Sequence, residues 1–149
     1  MKDQDERRTH QLHRDEILEY TRNDPFALSL GIELTRFEAG NVEAELVVRE
    51  HMVNAHGSLH GAVVYALADY VFSIACNAYG RTSVGLSTNI QFIAPAMPGD
   101  KLAAHATELK LGARTGFYRI DVFNAETLVA TMDAVAYRKD RHFIDIADK

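Results

Sequence analysis

A single cysteine, Cys76, stands among 149 residues. No internal disulfide is available, and a lone thiol fits a reducing compartment. The chain has no excess of positive charge: the formal net charge is -5, where a nucleic-acid binder is ordinarily basic. There is no Cys/His metal spacing, no phosphate-cradling glycine-rich loop and no Gly-x-Ser-x-Gly elbow. No metal and no cofactor are therefore expected. The first residues, Met1 to Arg8, mix both charge signs and lack an apolar stretch and a small-residue cleavage site, so the expected location is cytoplasmic.

What is present is ordinary for one globular domain. The length allows one real core, and 47% of residues are hydrophobic against 25% charged. Residues 2–24 are polar, with Leu12, Ile17, Leu18 and Tyr20 loosely spaced for a helix. This predicts a helical extension over 1–24, lying on the surface and frayed at its start. Asp24-Pro25 opens a short apolar turn. Residues 31–50 read as a hairpin about Ala39-Gly40-Asn41, with Val42, Ala44, Leu46 and Val48 alternating with their neighbours.

Residues 60–79 form the longest apolar run. Alanine is frequent and proline absent, which predicts a helix. It is apolar nearly all round, so it should be buried, with Gly80 ending it. From Thr82 the period returns to two. Four strands are expected, over 83–94, 101–111, 115–124 and 127–138, with 139–149 trailing as a tail. Strands on both sides of a single apolar helix imply an α+β fold: an antiparallel sheet wrapped around that helix, in one domain over 25–138.

Asp69 is the only charged residue between Gly61 and Gly80. At the centre of a membrane span it would cost roughly 3 kcal/mol, with too few strongly apolar neighbours to offset it, so no membrane is expected. An ionised carboxylate in an apolar helix needs a reason. A polar cleft, a subunit partner and chemistry are three open answers. Geometry constrains the third. Gly61 and Asp69 lie about 12 Å apart along a helix and point about 80° apart. A backbone N–H at Gly61 and the Asp69 carboxylate cannot reach one carbonyl from the same helix. If both act, two antiparallel helix copies must share the site, which means a homodimer with two equivalent sites.

The run Asn54-Ala55-His56-Gly57-Ser58-Leu59-His60-Gly61-Ala62 resembles the segment opening the central helix of hotdog-fold thioesterases. Leu67 to Asn77 is similar to the phenylacetyl-CoA thioesterase branch, the PaaI type. Gln91 to Ala96 and Pro98-Gly99-Asp100 are similar to the strand and turn that follow. The resemblance implies an acyl-CoA thioesterase working as a dimer or tetramer. It implies Asp69 as general base or nucleophile, the Gly61 N–H as the group polarising the thioester carbonyl, Asn54 as placing water or carbonyl, and His60 as orienting the loop. The family's second motif glycine is Ala62 here. Where relatives carry a water-positioning serine or threonine on the next strand, this chain has Gly85; Ser83 and Ser87, each two residues away, are the candidate substitutes.

Tyr65, Tyr70, Phe72 and Ile74, with Phe92, are candidates for an apolar acyl slot, against the alternative that they are core. Lys110, Arg114, Arg138 and Lys139 gather near strand ends, where they would meet coenzyme A phosphates or simply solvate turns. Cys76 reads as inert core. His56 and His105 are isolated, and Asp133 reads as surface. Two other readings stay open: a hotdog hydratase or dehydratase, and a non-catalytic acyl-CoA-binding module.

Overall fold

The computed structural model describes residues 2–146. Its centre is the apolar run. Helix α3, Gly61–Cys76, buries Val64, Leu67, Ala68, Tyr70, Val71, Phe72, Ile74, Ala75 and Cys76. Only one stripe stays open: Ala62, Asp69 and Ser73 are exposed, and Tyr65 and Ala66 half-buried. The helix stops three residues before the expected Tyr79. Asn77 explains this. Its side-chain amide donates to Ser73 O and Ser83 O, while its oxygen accepts from Ser83 N. One side chain thus satisfies a helix-terminal carbonyl and ties the helix to the next strand.

Six antiparallel strands follow the expected alternation. They are β1 (Glu33–Glu38), β2 (Asn41–Val47), β3 (Arg81–Phe92), β4 (Lys101–Leu111), β5 (Thr115–Asn124) and β6 (Thr127–His142). They form one sheet in the order β1-β2-β4-β5-β6-β3, every neighbouring pair antiparallel. Val42, Ala44 and Leu46 of β2, Leu102, Ala104 and Ala106 of β4, and Tyr118, Ile120 and Val122 of β5 face α3 and are at most 1% exposed. The period-two pattern is read out here as one buried face. β1 and β3 stand at the two ends of this order, each with one strand neighbour among the described residues.

The N-terminal extension is a helix, as its spacing predicts, but it is packed onto the fold rather than lying loose on its surface. Helix α1, Lys2–Arg22, buries His10 and Ile17. His10 Nδ1 donates to Ala78 O at 2.6 Å. Arg7 pairs with Glu108, which also accepts from the Tyr79 hydroxyl. Arg138, expected at a ligand entrance, is instead buried at 3% exposure. It donates to Gly112 O and pairs with Glu6 of α1 at 2.8 Å. A charge this deep is retained by its partners.

The expected tail also belongs to the fold as far as residue 146; residues 147–149 lie outside the described residues. β6 runs on to His142, Phe143 stacks on Tyr20 at 4.3 Å, and Ile144 is 7% exposed. Ile144 packs against Gly80, which has φ +72° and receives a hydrogen bond from Phe143 N. Any side chain at Gly80 meets both the left-handed backbone and Ile144. Gly80→Ala is expected to lower stability by about 2 kcal/mol, seen as a lower melting temperature. An unchanged melting temperature would mean that the C-terminal segment is not held there.

Candidate active site

The segment before α3 is shaped by Asn54. Its side-chain oxygen accepts from the backbone N–H of His56 and Ser58, and its amide nitrogen donates to Ser58 Oγ. Asn54 N donates to Ser58 O, and Gly57, with φ +82°, donates to Asn54 O. This asparagine builds the turn and has one amide N–H left for another acceptor. His56, beside it, contributes its backbone to the same turn.

His60 then starts the helix. Its backbone is extended, and its Nδ1 accepts from Ala62 N at 3.0 Å. Val63 N and Val64 N donate to His60 O. Among the described residues the Gly61 N–H alone of this first turn has no acceptor. A free N–H at the positive end of a sixteen-residue helix is a ready donor for developing negative charge. Phe92 of β3 lies alongside, its ring 3.4 Å from where a Cβ at residue 61 would stand.

Together they form a cleft of about 300 Å³ lined by Asn54, Leu59, Gly61, Val64, Phe92, Ile93, Ala94, Pro95, Ala96 and Val129. Its walls are mostly apolar, with the free N–H and the Asn54 amide as the polar exceptions. Phe92 is 58% exposed at its lip.

Asp69 is not in this cleft. It lies two turns further along α3, on the open stripe, with no hydrogen-bond or ion-pair partner among the described residues. Partial desolvation by the surrounding protein, helped by the negative charge of Asp24, raises its pKa above the ordinary carboxylate value. A raised pKa makes the carboxylate a stronger base. Asp24 itself caps helix α2, Pro25–Leu30, accepting from Ala27 N.

The other candidates are dispersed. Tyr70 is 5% exposed and faces a different, larger cleft, of about 1590 Å³, between α1, α2 and the chain's end. That cleft is walled by Asp15, Glu16, Glu19 and Glu33 against Arg22, a balance that repels phosphates. Phe72 and Ile74 are 1% exposed and are core. Lys110 and Arg114 are exposed about the β4–β5 turn, beside Arg138 N, which donates to Arg114 O. Arg138 is packed under the Tyr79 ring, so that turn lies at the opposite end of α3 from Gly61. Burial pushes the Cys76 thiol up to about 12, in keeping with an unreactive core cysteine. His105 bonds Asn41, and Asp133 pairs with Arg119 on the exposed face.

The two serines do not share a strand face. β3 carries an irregularity between Gly85 and Ser87. Ser83 is registered with Arg138 and buried; Ser87 is registered with Val135, between the helix-facing Ala134 and Ala136. One inserted residue, Leu86, inverts the alternation. Ser83 moreover lies at the far end of the helix, its backbone bonded to the Asn77 side chain and its hydroxyl donating to Arg81 O. Thr88, unremarkable in sequence, takes the helix-facing position beside Ala134, and its Oγ1 lies 3.0 Å from the Tyr65 hydroxyl. No sequence signal marks the bulge.

The family model described as the thioesterase superfamily matches residues 56–131. Acyl-coenzyme A thioesterase PaaI of Escherichia coli is 36% identical over 104 residues, 70% of this chain and 74% of that protein. Acyl-coenzyme A thioesterase 13 of Homo sapiens is 32% identical over 117 residues, 76% of this chain and 84% of that one. The solved structure of the E. coli PaaI protein superposes with a TM-score of 0.82 at 30% identity, over 91% of this chain and 97% of that one. The antiparallel sheet around a single apolar helix, the helix opening at His60-Gly61 and these likenesses agree, and the chain belongs to the thioesterase superfamily, as a hotdog-fold thioesterase of the PaaI type.

Proposed function

We propose that this thioesterase hydrolyses an acyl-CoA with an aromatic acyl group, at a site shared by two protomers. The observation carrying this reading is the unpaired Gly61 N–H in an apolar cleft, set two turns from an unpaired Asp69 on the same helix. The two cannot converge within one chain. Two copies of α3 running antiparallel across their open stripes bring the Gly61 of each to the Asp69 of the other. Ala62 and Ala66 on that stripe allow close approach.

The chemistry follows. The thioester oxygen accepts from the Gly61 N–H, with the remaining Asn54 amide N–H beside it. The partner's Asp69 takes a proton from water as the water oxygen adds to the carbonyl carbon. The oxyanion forms against the helix end. It collapses by breaking the C–S bond, and the thiolate of coenzyme A leaves and takes a proton. Direct attack by the carboxylate gives the same products through an anhydride. Phe92 supplies an aromatic wall for the acyl group. The dimer also carries the partner's Lys110 and Arg114 from the far end of α3 toward this cleft, where they would meet the phosphates of coenzyme A.

No helix among the described residues is long and apolar enough to cross a membrane. With one buried thiol, the protein is read as cytoplasmic.

Mixed dimers test the shared site. Asp69→Asn and Gly61→Pro proteins, each inactive alone, are refolded together. Half the dimers are then mixed, and each mixed dimer has one intact site. About a quarter of wild-type thiol release should return. If mixing restores nothing while mixed dimers are shown to form, the site belongs to one chain.

A further inference from the structure

Helix α2 carries large apolar side chains that its own chain leaves uncovered. Asp24 caps its start, Pro25 fills its first position, and Gly31, with φ +76°, closes its end. Ala27 packs into the core, while Phe26 is 66% and Leu28 60% exposed. These two side chains leave the helix about 200° apart. Leu28 lines the larger cleft with Tyr70 and Ile32, so Phe26 stands on the opposite flank of α2. The segment entering α2 crosses α3 at the level of Asp69 and Tyr70. Arg22 and Asn23 line the same cleft as Tyr70. After desolvation, the charge of Asp24 raises the pKa of both Asp69 and Tyr70.

The shared site places the Phe26 ring. Around the axis of α3, Gly61 lies roughly 90° to one side of the open stripe and Tyr70 roughly 90° to the other. Phe92 and the cleft of about 300 Å³ belong to the Gly61 flank, and α2 to the Tyr70 flank. A two-fold axis through the stripe reverses the second helix and exchanges its flanks. The Tyr70 flank of one protomer therefore adjoins the Gly61 flank of the other. The levels agree as well, because Asp69 of one helix stands at Gly61 of the other. The start of the partner's α2 then lies over this cleft, with its exposed ring across from Phe92, which is itself exposed at the lip.

We propose that Phe26 of the partner subunit closes the acyl slot over this cleft and sets its preference for an aromatic acyl group. This rests on the shared Gly61–Asp69 site. The aryl ring lies between Phe92 of the protomer that supplies the Gly61 N–H and the partner's Phe26, from the protomer that supplies Asp69. Offset or edge-on contact with two rings favours a flat aryl group over a methyl. The cap bonds at both ends of α2 hold this wall in place. Phe26 touches the acyl group and not the reacting carbonyl, so the chemical step stays with Asp69 and Gly61.

The test is the ratio of kcat/KM for phenylacetyl-CoA to that for acetyl-CoA, whose methyl is too short to reach the second ring. Wild type is compared with Phe26→Ala, Phe26→Leu and Leu28→Ala. Phe26→Ala should lower the ratio about 20-fold and Phe26→Leu about fivefold, from the lost ring contact and its buried area. Leu28→Ala, on the other flank, should keep the ratio within about twofold. A wild-type ratio in Phe26→Ala overturns the proposal, and so does an equal fall in Leu28→Ala. Mixed dimers assign the chain. With Asp69→Asn on one chain and Gly61→Pro on the other, the single intact site takes its Asp69, and hence its Phe26, from the Gly61→Pro chain. Phe26→Ala added to that chain should lower the ratio; added to the Asp69→Asn chain it should not. The reverse pattern places Phe26 at its own chain's cleft and overturns the proposal. Wild-type turnover in Asp69→Asn alone would instead overturn the shared-site reading, so the two failures are distinguishable.

Discussion

Replacing Asp69 by Asn is expected to lower kcat by about 10³-fold, the range for loss of a group that moves a proton in the transition state, while the protein folds and still binds acyl-CoA. Asparagine has the same size and sits on an exposed stripe, so packing is preserved. The sign of the stability change is part of the prediction. Desolvation and the charge of Asp24 raise the Asp69 pKa in the folded protein. Between the unfolded and the folded value the native state holds more protons than the unfolded one. Stability therefore falls as pH rises through that window, the reverse of a salt-bridged aspartate. Above it the ionised carboxylate opposes folding, and Asp69→Asn removes that opposition. The variant should melt no lower than wild type at neutral pH. Activity has the opposite dependence, since only the ionised form accepts a proton: kcat should fall on the acid side with a midpoint above the ordinary aspartate value. Thiol release across pH, with a thermal melt of each protein, checks both. Wild-type turnover in Asp69→Asn sinks the mechanism. A lower melting temperature at neutral pH would show that Asp69 is a structural ion.

Gly61→Pro is the second large effect, and it isolates one hydrogen-bond donor. Residue 61 is the first residue of α3, where proline is favoured and the missing N–H breaks no helical bond. His60 before it already has φ -64° and ψ 133°, the extended conformation that a following proline demands. The ring would meet Phe92 at contact distance, and Phe92, open to solvent, can give way. The helix should be intact by circular dichroism. What disappears is the unpaired N–H, and loss of one such donor costs about 10²- to 10³-fold in kcat. Full activity with an intact helix would assign the oxyanion to another group, the Asn54 amide being the next in the cleft.

Much of this fold was legible in the residues. The period of two over Val42 to Val48, and again from Thr82, is a direct statement that one face is buried and the other wet. β4 and β5 have the expected limits. The alanine-rich run with a single charge gave α3, and the burial of that run made Asp69 conspicuous before any coordinate was known. The segment from Asn54 to Gly61 marked the helix opening through residue types that turn and cap a chain locally. Such features are set by neighbours within four or five positions, which is the range over which sequence and conformation are coupled.

What the tertiary structure decided depends on long-range contacts. Arg138 read as an entrance cation because its charge suggested solvent; Glu6, 132 residues away in sequence, made it a buried strut. Residues 139–146 read as a tail because their pattern is mixed, yet Phe143 finds Tyr20 and Ile144 packs on Gly80. Tyr70 read as a candidate wall of the acyl slot because it is a large ring on the apolar helix, but about 100° of helical rotation from Asp69 turns it to another cleft. Ser87 and Thr88 exchanged faces because one residue, Leu86, was inserted in β3, and a bulge is fixed by what the partner strand β6 pairs with rather than by local propensity. The sequence by itself determined the helix, the alternation of the strands and the lone acid, Asp69, that the helix carries, since these follow from local geometry and hydrophobic period. The placement of hydroxyls and cations about that acid was decided only when distant strands and helices met.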